Sequence, residues 1–423
     1  MKKEYDVIVI GAGASGLLAA GSAAQAGADV LVLEKKERAG RKVLITGKGR
    51  CNLTNTATAT EYFGKIHPNG RFLKHAFSTF FSADIIRIMN EHGTETVTER
   101  GGRVFPSSSS SADVVKALLD WLRPMPAEIR YNTRVSRIVV RDGYVEGVES
   151  KQGSETQFYH AKKVILCAGG SSYPATGSDG DGIRLAEACG HTVKTVHPAL
   201  VPLESKHPAI PHLQGLSLKN VKAALWIGNR KKYEEFGEML FTHFGLSGPI
   251  ILTLSRYAVE ALNAGSPVHL TLDLKPALTE QQLDARLLRD LDQNGKKHLA
   301  NLLRLWLPST MADWFLTATA LDPSLEGHQL GSRDRRKILL LMKEMRFEID
   351  GYRPFREAII TAGGVSCEEI DPRTMASRKA EGLYLAGEVL DLDADTGGYN
   401  LQIAWSTGWL AGQSAGSVLQ ESR

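Results

Sequence analysis

Cysteine is scarce and scattered in this chain: Cys51, Cys167, Cys189 and Cys367 are its four, and no two stand in a CxxC spacing. This excludes a dithiol redox motif and cysteine-type metal spacing, and it suits a reducing compartment. No metal site is expected. Net charge is small, +4 over 423 residues, so whole-chain electrostatics name no partner. No segment beyond the N-terminus combines the length and freedom from charge of a membrane span, and no membrane association is expected. Met1-Lys-Lys before an apolar stretch has the outline of a secretory leader, but Glu4 and Asp6 place acids where such a leader has none. The chain therefore reads as cytoplasmic.

What is present is ordinary globular composition, 43% hydrophobic and 23% charged, over a length sufficient for two or three domains. Its clearest stretch is YDVIVIGAGASGLLAAGSAAQAGADVLVLE, residues 5 to 34. A β-branched run breaks at Gly11, Gly13 and Gly16, passes through an Ala-rich helix and returns as a second strand ending at Glu34. Gly11 allows the sharp turn, Gly13 clears the approach of a pyrophosphate, and Gly16 lets helix and strands pack closely. The free amides of Ala14 and Ser15 at the helix start then face phosphates. Glu34, eighteen residues after Gly16, is placed to bond an adenosine ribose, and its charge favours FAD or NAD over NADP.

Between Glu34 and Lys74 stand ten Lys or Arg against three acids. A solvated basic loop and a phosphate-facing one both fit this imbalance. Within it, GRKVLITGKGRCNLTN (40 to 55) is too polar and glycine-rich for a core element. It reads as a loop closing over the ligand, with Arg41, Lys42 and Arg50 toward phosphate and Cys51 and Asn52 toward a reactive ring, and Lys35, just before it, is expected among the cofactor-binding residues. Thr46, Gly47 and Gly49 belong to the same expected cofactor-binding set.

Further along, residues 71 to 92 have helical periodicity, and residues 129 to 149 alternate as a hairpin turning at Asp142-Gly143, with Val135 expected near the cofactor. KKVILCAGG (162 to 170) is a buried strand ending at Ala168 and Gly169. From about residue 191 to 351 the pattern changes, β-rich over 191 to 275 and helical over 276 to 351, with no second glycine fingerprint. After residue 352 the α/β pattern returns, with a strand ending at Gly387-Glu388 and a helix opening at Gly397, Gly398, Tyr399 and Asn400. That helix start carries about half a positive charge, which suits a ring that becomes anionic on reduction. The expected division is a FAD-binding domain in two parts, 1 to 190 and 352 to 423, around an insert at 191 to 351.

The fingerprint, GRKVLITGKGRCNLTN, LFTHFGLSGP, TAGGV and GEVLDLDADTGGYNLQ together resemble the bacterial BaiN-like (YhiN-type) NAD(P)/FAD-dependent oxidoreductases over nearly the whole chain. The resemblance implies an α/β fold: a Rossmann-like FAD domain of the two-dinucleotide-binding flavoprotein type, interrupted by a β-rich and helical insert. It also implies Glu34 on the ribose, the 46 to 52 loop and the 397 to 402 segment, including Leu401 and Gln402, near the isoalloxazine, and Glu388 where many flavoproteins carry an Asp on the ribityl chain.

Three functions are compatible with the sequence. The first is reduction of an activated carbon-carbon double bond by NAD(P)H through FAD, on a small molecule or on a uridine of structured, ribosomal RNA. With a single fingerprint, the nicotinamide would dock only transiently. The second is FAD-dependent oxidation of a small amine or amino-ketone with release of peroxide, and the third an FAD-stabilised RNA-binding or assembly protein. His243, in LFTHFGLSGP, is the candidate proton donor, with a backbone-bonded structural histidine as the alternative. Cys51 is the second catalytic candidate, against the alternative of a buried inert thiol.

Overall fold

The computed structural model describes residues 4–152 and 155–417. The chain divides into two compact units, one formed by residues 1–198 and 359–423, the other by 199–358.

In the first unit, β1 (Tyr5–Ile10) leads through the glycine turn to α1 (Ala14–Gln25) and β2 (Val30–Leu33), and α2 (Arg41–Ile45) follows. Beyond α3 (Ser111–Leu122) come β3 (Ala127–Arg130), β4 (Val135–Arg141), β5 (Tyr144–Gln152) and β6 (Glu155–Leu166), then α4 (Asp181–Ala188) and β7 (Val193–Ala199). The chain returns to this unit in β8 (Ile360–Val365), β9 (Leu383–Leu385) and α5 (Tyr399–Ser417). β3, β2, β1, β6 and β9 lie side by side as a parallel sheet, with Val7 opposite Val30 and Val164 opposite Leu383. Strands buried on both faces need apolar residues at every position, which is why VIVI and VLVL show no alternation. This is the expected α/β, Rossmann-like architecture.

Three expectations are corrected here. Residues 129 and 130 do not start a hairpin: Ala127–Arg130 pairs in parallel with β2, and left-handed Asn132 breaks the run before the hairpin of β4 and β5, which does turn at Asp142-Gly143. The helix expected over 71 to 92 is interrupted after Thr79, where Phe80 and Phe81 take extended backbone and the Asp84 carboxylate accepts the Phe81 amide, starting a new helix at Ser82. The seams between units fall after Pro198 and Ala358 rather than at 190 and 351, because β7 pairs with β8 and so holds residues 193–198 in the first unit.

Helices α1 and α5 approach at backbone distance. A Cβ added at Gly408, Gly412 or Gly416 would stand 2.2 Å from the Ser15 carbonyl oxygen, 2.2 Å from that of Ala19 and 2.6 Å from the Ala26 Cβ. Glycine at every fourth position thus makes one face of α5 flat, and Ser22 Oγ donates to the Trp409 carbonyl across the contact at 2.8 Å.

A second tie joins the two parts of this unit. The His191 side chain is wholly buried, with Nδ1 3.2 Å from Glu369 Oε2 and Nε2 2.8 Å from Ser377 Oγ. Ser377 Oγ already accepts the Lys379 and Ala380 amides, so its own proton faces Nε2 and the ring is neutral with its hydrogen on Nδ1. Burial lowers the His191 pKa, against the opposing pull of Glu369. The unfolded chain therefore takes up this proton first as pH falls, and the contribution to stability is complete above about pH 6.5 and declines below it. The melting temperature of His191→Gln is expected to fall less than that of the wild type between pH 7.5 and pH 5.5. Parallel losses would remove this role.

The second unit is built on an antiparallel sheet whose strands run, in spatial order, Met345–Glu348, Val268–Asp273, Ser217–Ile227, Arg230–Phe241, Gly245–Ser247, Leu203–Glu204 and Gly351–Tyr352. Helices Glu280–Gln293, Leu299–Trp306, Ser309–Thr319 and Ser332–Lys343 pack with it around a separate apolar core. Helix Pro249–Asn263, inside the segment expected to be β-rich, opens with proline at its first position. Among the described residues no helix is long and apolar enough to cross a membrane, and no group of His, Cys, Asp and Glu could hold a metal ion.

Candidate active site

A cavity of about 1260 Å³, open mouth included, lies within the first unit at the carboxyl ends of its parallel strands. Ligands of open α/β sheets sit there because helix starts and strand ends converge on it. Of the residues singled out from sequence, Gly11, Gly13, Ala14, Ser15, Glu34, Lys35, Arg41, Lys42, Thr46, Val135, Ala168, Gly169, Glu388, Asn400 and Leu401 line it.

The three fingerprint glycines separate by cause. Gly11 has a φ of +99°, and a Cβ there would press within 2.7 Å of the Cys167 carbonyl oxygen. A Cβ on Gly16 would fall 1.9 Å from the Gly11 carbonyl oxygen. Gly13 has an ordinary φ of −83°, and a Cβ there would meet nothing within 4 Å. The fold therefore demands glycine at 11 and 16, whereas at 13 the missing side chain leaves clearance in the cavity wall.

Glu34 follows β2, and its carboxylate is held by the amides of Ala12 at 2.7 Å and Lys36 at 2.8 Å. Each oxygen keeps a lone pair for a ligand hydroxyl. Nearby, Lys35 Nζ bonds Asp179 at 2.5 Å and Asp181 at 2.8 Å, and Arg134 grips Asp181 with two nitrogens at 2.6 and 2.9 Å. Burial alone would raise the Asp181 carboxyl, but the bonds from Arg134 and Lys35 outweigh it and hold the group well below the usual carboxylate range. Thr133, Arg134, Ser178 and Asp181 also line the cavity, and sequence reading passed over them. The signal for Asp181 was the acid inside TGSDGDG at a helix start; Arg134 offered none.

Elsewhere on the wall, Lys42 Nζ lies 2.5 Å from Glu388 Oε2 and 2.6 Å from Ser172 Oγ. Glu388 Oε1 accepts from Ser172 Oγ at 2.5 Å and from the Thr361 amide at 2.9 Å. Val43, Ile359, Ile360, Leu392, Leu401 and Ile403 supply apolar lining. The first turn of α5 faces the same cavity through Asn400 and Leu401, bringing the positive end of a nineteen-residue helix to it. The Asn400 amide group is fixed by the Ala394 carbonyl at 2.7 Å and the Ala394 amide at 2.8 Å.

Other expected residues serve as backing. Asn52, with its amide oriented to satisfy both neighbours, accepts from the Gly398 amide at 3.0 Å and donates to the Thr54 carbonyl at 3.2 Å, and so ties the loop to the residue before α5. Gln402 is fully buried and accepts from Thr54 Oγ1 at 2.6 Å. Gly387 lies against Ser15, Gly398 against the Thr54 backbone and Gly397 against the Tyr399 ring. The Tyr399 ring meets Tyr62 edge-on, at 4.7 Å between centroids. Gly47 and Gly49 give the 46 to 52 loop its left-handed turns, and Arg50 lies over the Phe105 ring at 4.2 Å and pairs with Glu99.

Cys51 has the surroundings of the buried thiol named as its alternative. It is completely buried, and burial pushes its thiol up to about 12, so no thiolate forms near neutrality. His243 belongs to the second unit, on the exposed turn between Arg230–Phe241 and Gly245–Ser247, where its ring meets Phe244 edge-on at 4.8 Å.

FAD fits this cavity on four counts. Gly13 leaves clearance at the turn that a diphosphate could use. The lining cations Lys35, Arg38, Arg41, Lys42 and Arg134 exceed the lining carboxylates Glu34, Asp181 and Glu388 by two, matching a diphosphate's two charges. Glu34 is oriented for a ribose. Apolar walls suit an aromatic ring system.

Comparison with known proteins agrees. The family model described as HI0933-like protein Rossmann domain matches residues 5–414. A 3-dehydro-bile acid delta(4,6)-reductase of Clostridium scindens is 33% identical over 411 residues, 96% of this chain and 98% of that protein. A ribosomal RNA dihydrouridine synthase of Escherichia coli is 30% identical over 412 residues, 97% of this chain and 98% of that protein. Among solved structures, a 3-ketosteroid delta1-dehydrogenase of Sterolibacterium denitrificans superposes with a TM-score of 0.51 at 15% identity, covering 98% of this chain and 100% of the other. At that identity the likeness concerns the fold.

Proposed function

We propose, for a chain that belongs to the HI0933-like family and is an FAD-dependent oxidoreductase, that its reaction is the NAD(P)H-driven reduction of a carbon-carbon double bond conjugated to a carbonyl. The observation that carries this reading is a shared one. Two relatives aligned over almost their whole length are named for saturating a bile-acid double bond and for making dihydrouridine, and in both chemistries the double bond is polarised by a carbonyl. One NAD(P)H and one proton are consumed for each double bond saturated.

Bound FAD supplies the hydride chemistry, while the chain holds it, keeps water from it and delivers a proton. In this reading the residues around Gly13 take the diphosphate, Glu34 the ribose, and the α5 start favours the reduced ring. His243 gives the proton to the carbon that does not receive hydride. Its side chain is exposed, with the ring edge-on to Phe244. A cytoplasmic setting, where NAD(P)H is at hand, belongs to the same proposal.

Anaerobic addition of NADH or NADPH is expected to bleach the flavin absorbance, and an enone steroid or a uridine-containing RNA to restore it faster than air does. Which of the two acceptors works assigns the substrate class. His243→Gln is expected to slow the second step and spare the first. Bleaching by a small primary amine and not by nicotinamide would overturn the reductase in favour of an oxidase. No bleaching together with tight RNA binding would leave an RNA-binding protein.

A further inference from the structure

Four segments remote in sequence meet in one polar knot on the cavity wall: Lys42 of α2, Ser171 and Ser172 after β6, Thr361 of β8 and Glu388 after β9. Its base is fully buried. Thr361 Oγ1 accepts the amides of Ser171 at 2.8 Å and Ser172 at 3.1 Å, and Ser172 and Thr361 have no exposure. Only the charged pair at its tip, Lys42 and Glu388, reaches the cavity, with side chains 23% and 12% exposed.

A pair of this kind adds little to fold stability, since desolvating two charges offsets most of their attraction. It does place two opposite charges at fixed positions in a cavity whose lining includes the apolar Ile360 and Leu392, where charges act more strongly than in water. We propose that Lys42 and Glu388 form an opposed-charge element that sets the flavin's reduction potential. The inference rests on the reading of the cavity as an FAD site. Reduction adds negative charge to the ring system, so the Lys42 ammonium favours it and the Glu388 carboxylate opposes it. The potential then reflects their near cancellation, with Ser172 and Thr361 as positioning residues that keep the carboxylate directed.

The test is a dye-coupled redox titration of purified FAD-loaded proteins, which needs no substrate. Lys42→Met is expected to disfavour reduction about tenfold and Glu388→Gln to favour it about tenfold, about 30 mV each way for a two-electron couple. Lys42→Arg, which keeps the charge, is expected to stay near the wild type, and the double variant Lys42→Met with Glu388→Gln to return toward it. Shifts of the same sign, or no shift in proteins with full FAD, would overturn the proposal. Loss of FAD from Lys42→Met but not from Lys42→Arg would assign Lys42 to the diphosphate and overturn it too. A wild-type protein that takes up no FAD would instead sink the reading of the cavity itself.

Discussion

Gly13→Asp is expected to yield a folded, colourless protein. The substitution separates two demands usually confounded in a glycine-rich turn, since the Gly13 backbone is ordinary and its Cβ direction is empty, whereas Gly11 and Gly16 face carbonyl oxygens. The melting temperature of the apoprotein should therefore match that of wild-type apoprotein. In the proposed placement, however, the FAD diphosphate passes through the clearance at Gly13. A carboxylate about 4 Å from a phosphate charge costs about 4 kcal/mol at an effective dielectric constant of about 20, which is about a thousandfold in Kd. Gly13→Ala should weaken binding less, by steric contact alone. Undiminished flavin absorbance in Gly13→Asp would show that the cofactor does not follow the turn, and a melting temperature well below the wild-type apoprotein would show that the clearance is structural.

Gly412→Leu is expected to remove the folded first unit altogether. Its Cβ would sit 2.2 Å from the Ala19 carbonyl oxygen and 2.9 Å from the Ala19 Cα, so the clash is with helix backbone and no rotamer relieves it. Overpacking in adaptable cores costs about 1–3 kcal/mol; here α1 and α5 must separate, and a loss above about 4 kcal/mol is expected. Because α1 presents the amides that face the cavity, flavin retention should fall with stability. Gln413→Leu, one residue on and exposed, is the matched control and should behave as wild type. Wild-type melting and flavin content in Gly412→Leu would disprove the close approach of the two helices.

These two glycines also show why parts of the molecule were legible in the sequence and others were not. The turn at 11 to 16 obeys local rules of backbone geometry, so residue types at fixed spacing announce it, and Glu34 follows from the length of one helix and one strand. The glycines at 408, 412 and 416 follow a helical repeat, but their meaning depends on a partner helix almost four hundred residues earlier, which no local pattern contains. The knot at Lys42 is hidden for the same reason: Ser172, Thr361 and Glu388 become neighbours only when the sheet is assembled. Ile129 and Arg130 read as part of the hairpin because the alternation runs unbroken through Asn132, and hydrophobicity does not register one left-handed residue. Cys51 shows the limit of reading reactivity from a motif, since its chemistry is set by burial.

The contact between α1 and α5 has a consequence for synthesis. Ribosomes add about 5–20 residues per second, so about 20–80 s separate the appearance of α1 from that of Gly412. During that interval β1 and α1 wait without the helix that covers them, while the second unit, whose residues are contiguous, has its whole core in hand earlier. The residues of the second unit, 199–358, are thus all made before the unit that contains α1 has its last segment, 359–423.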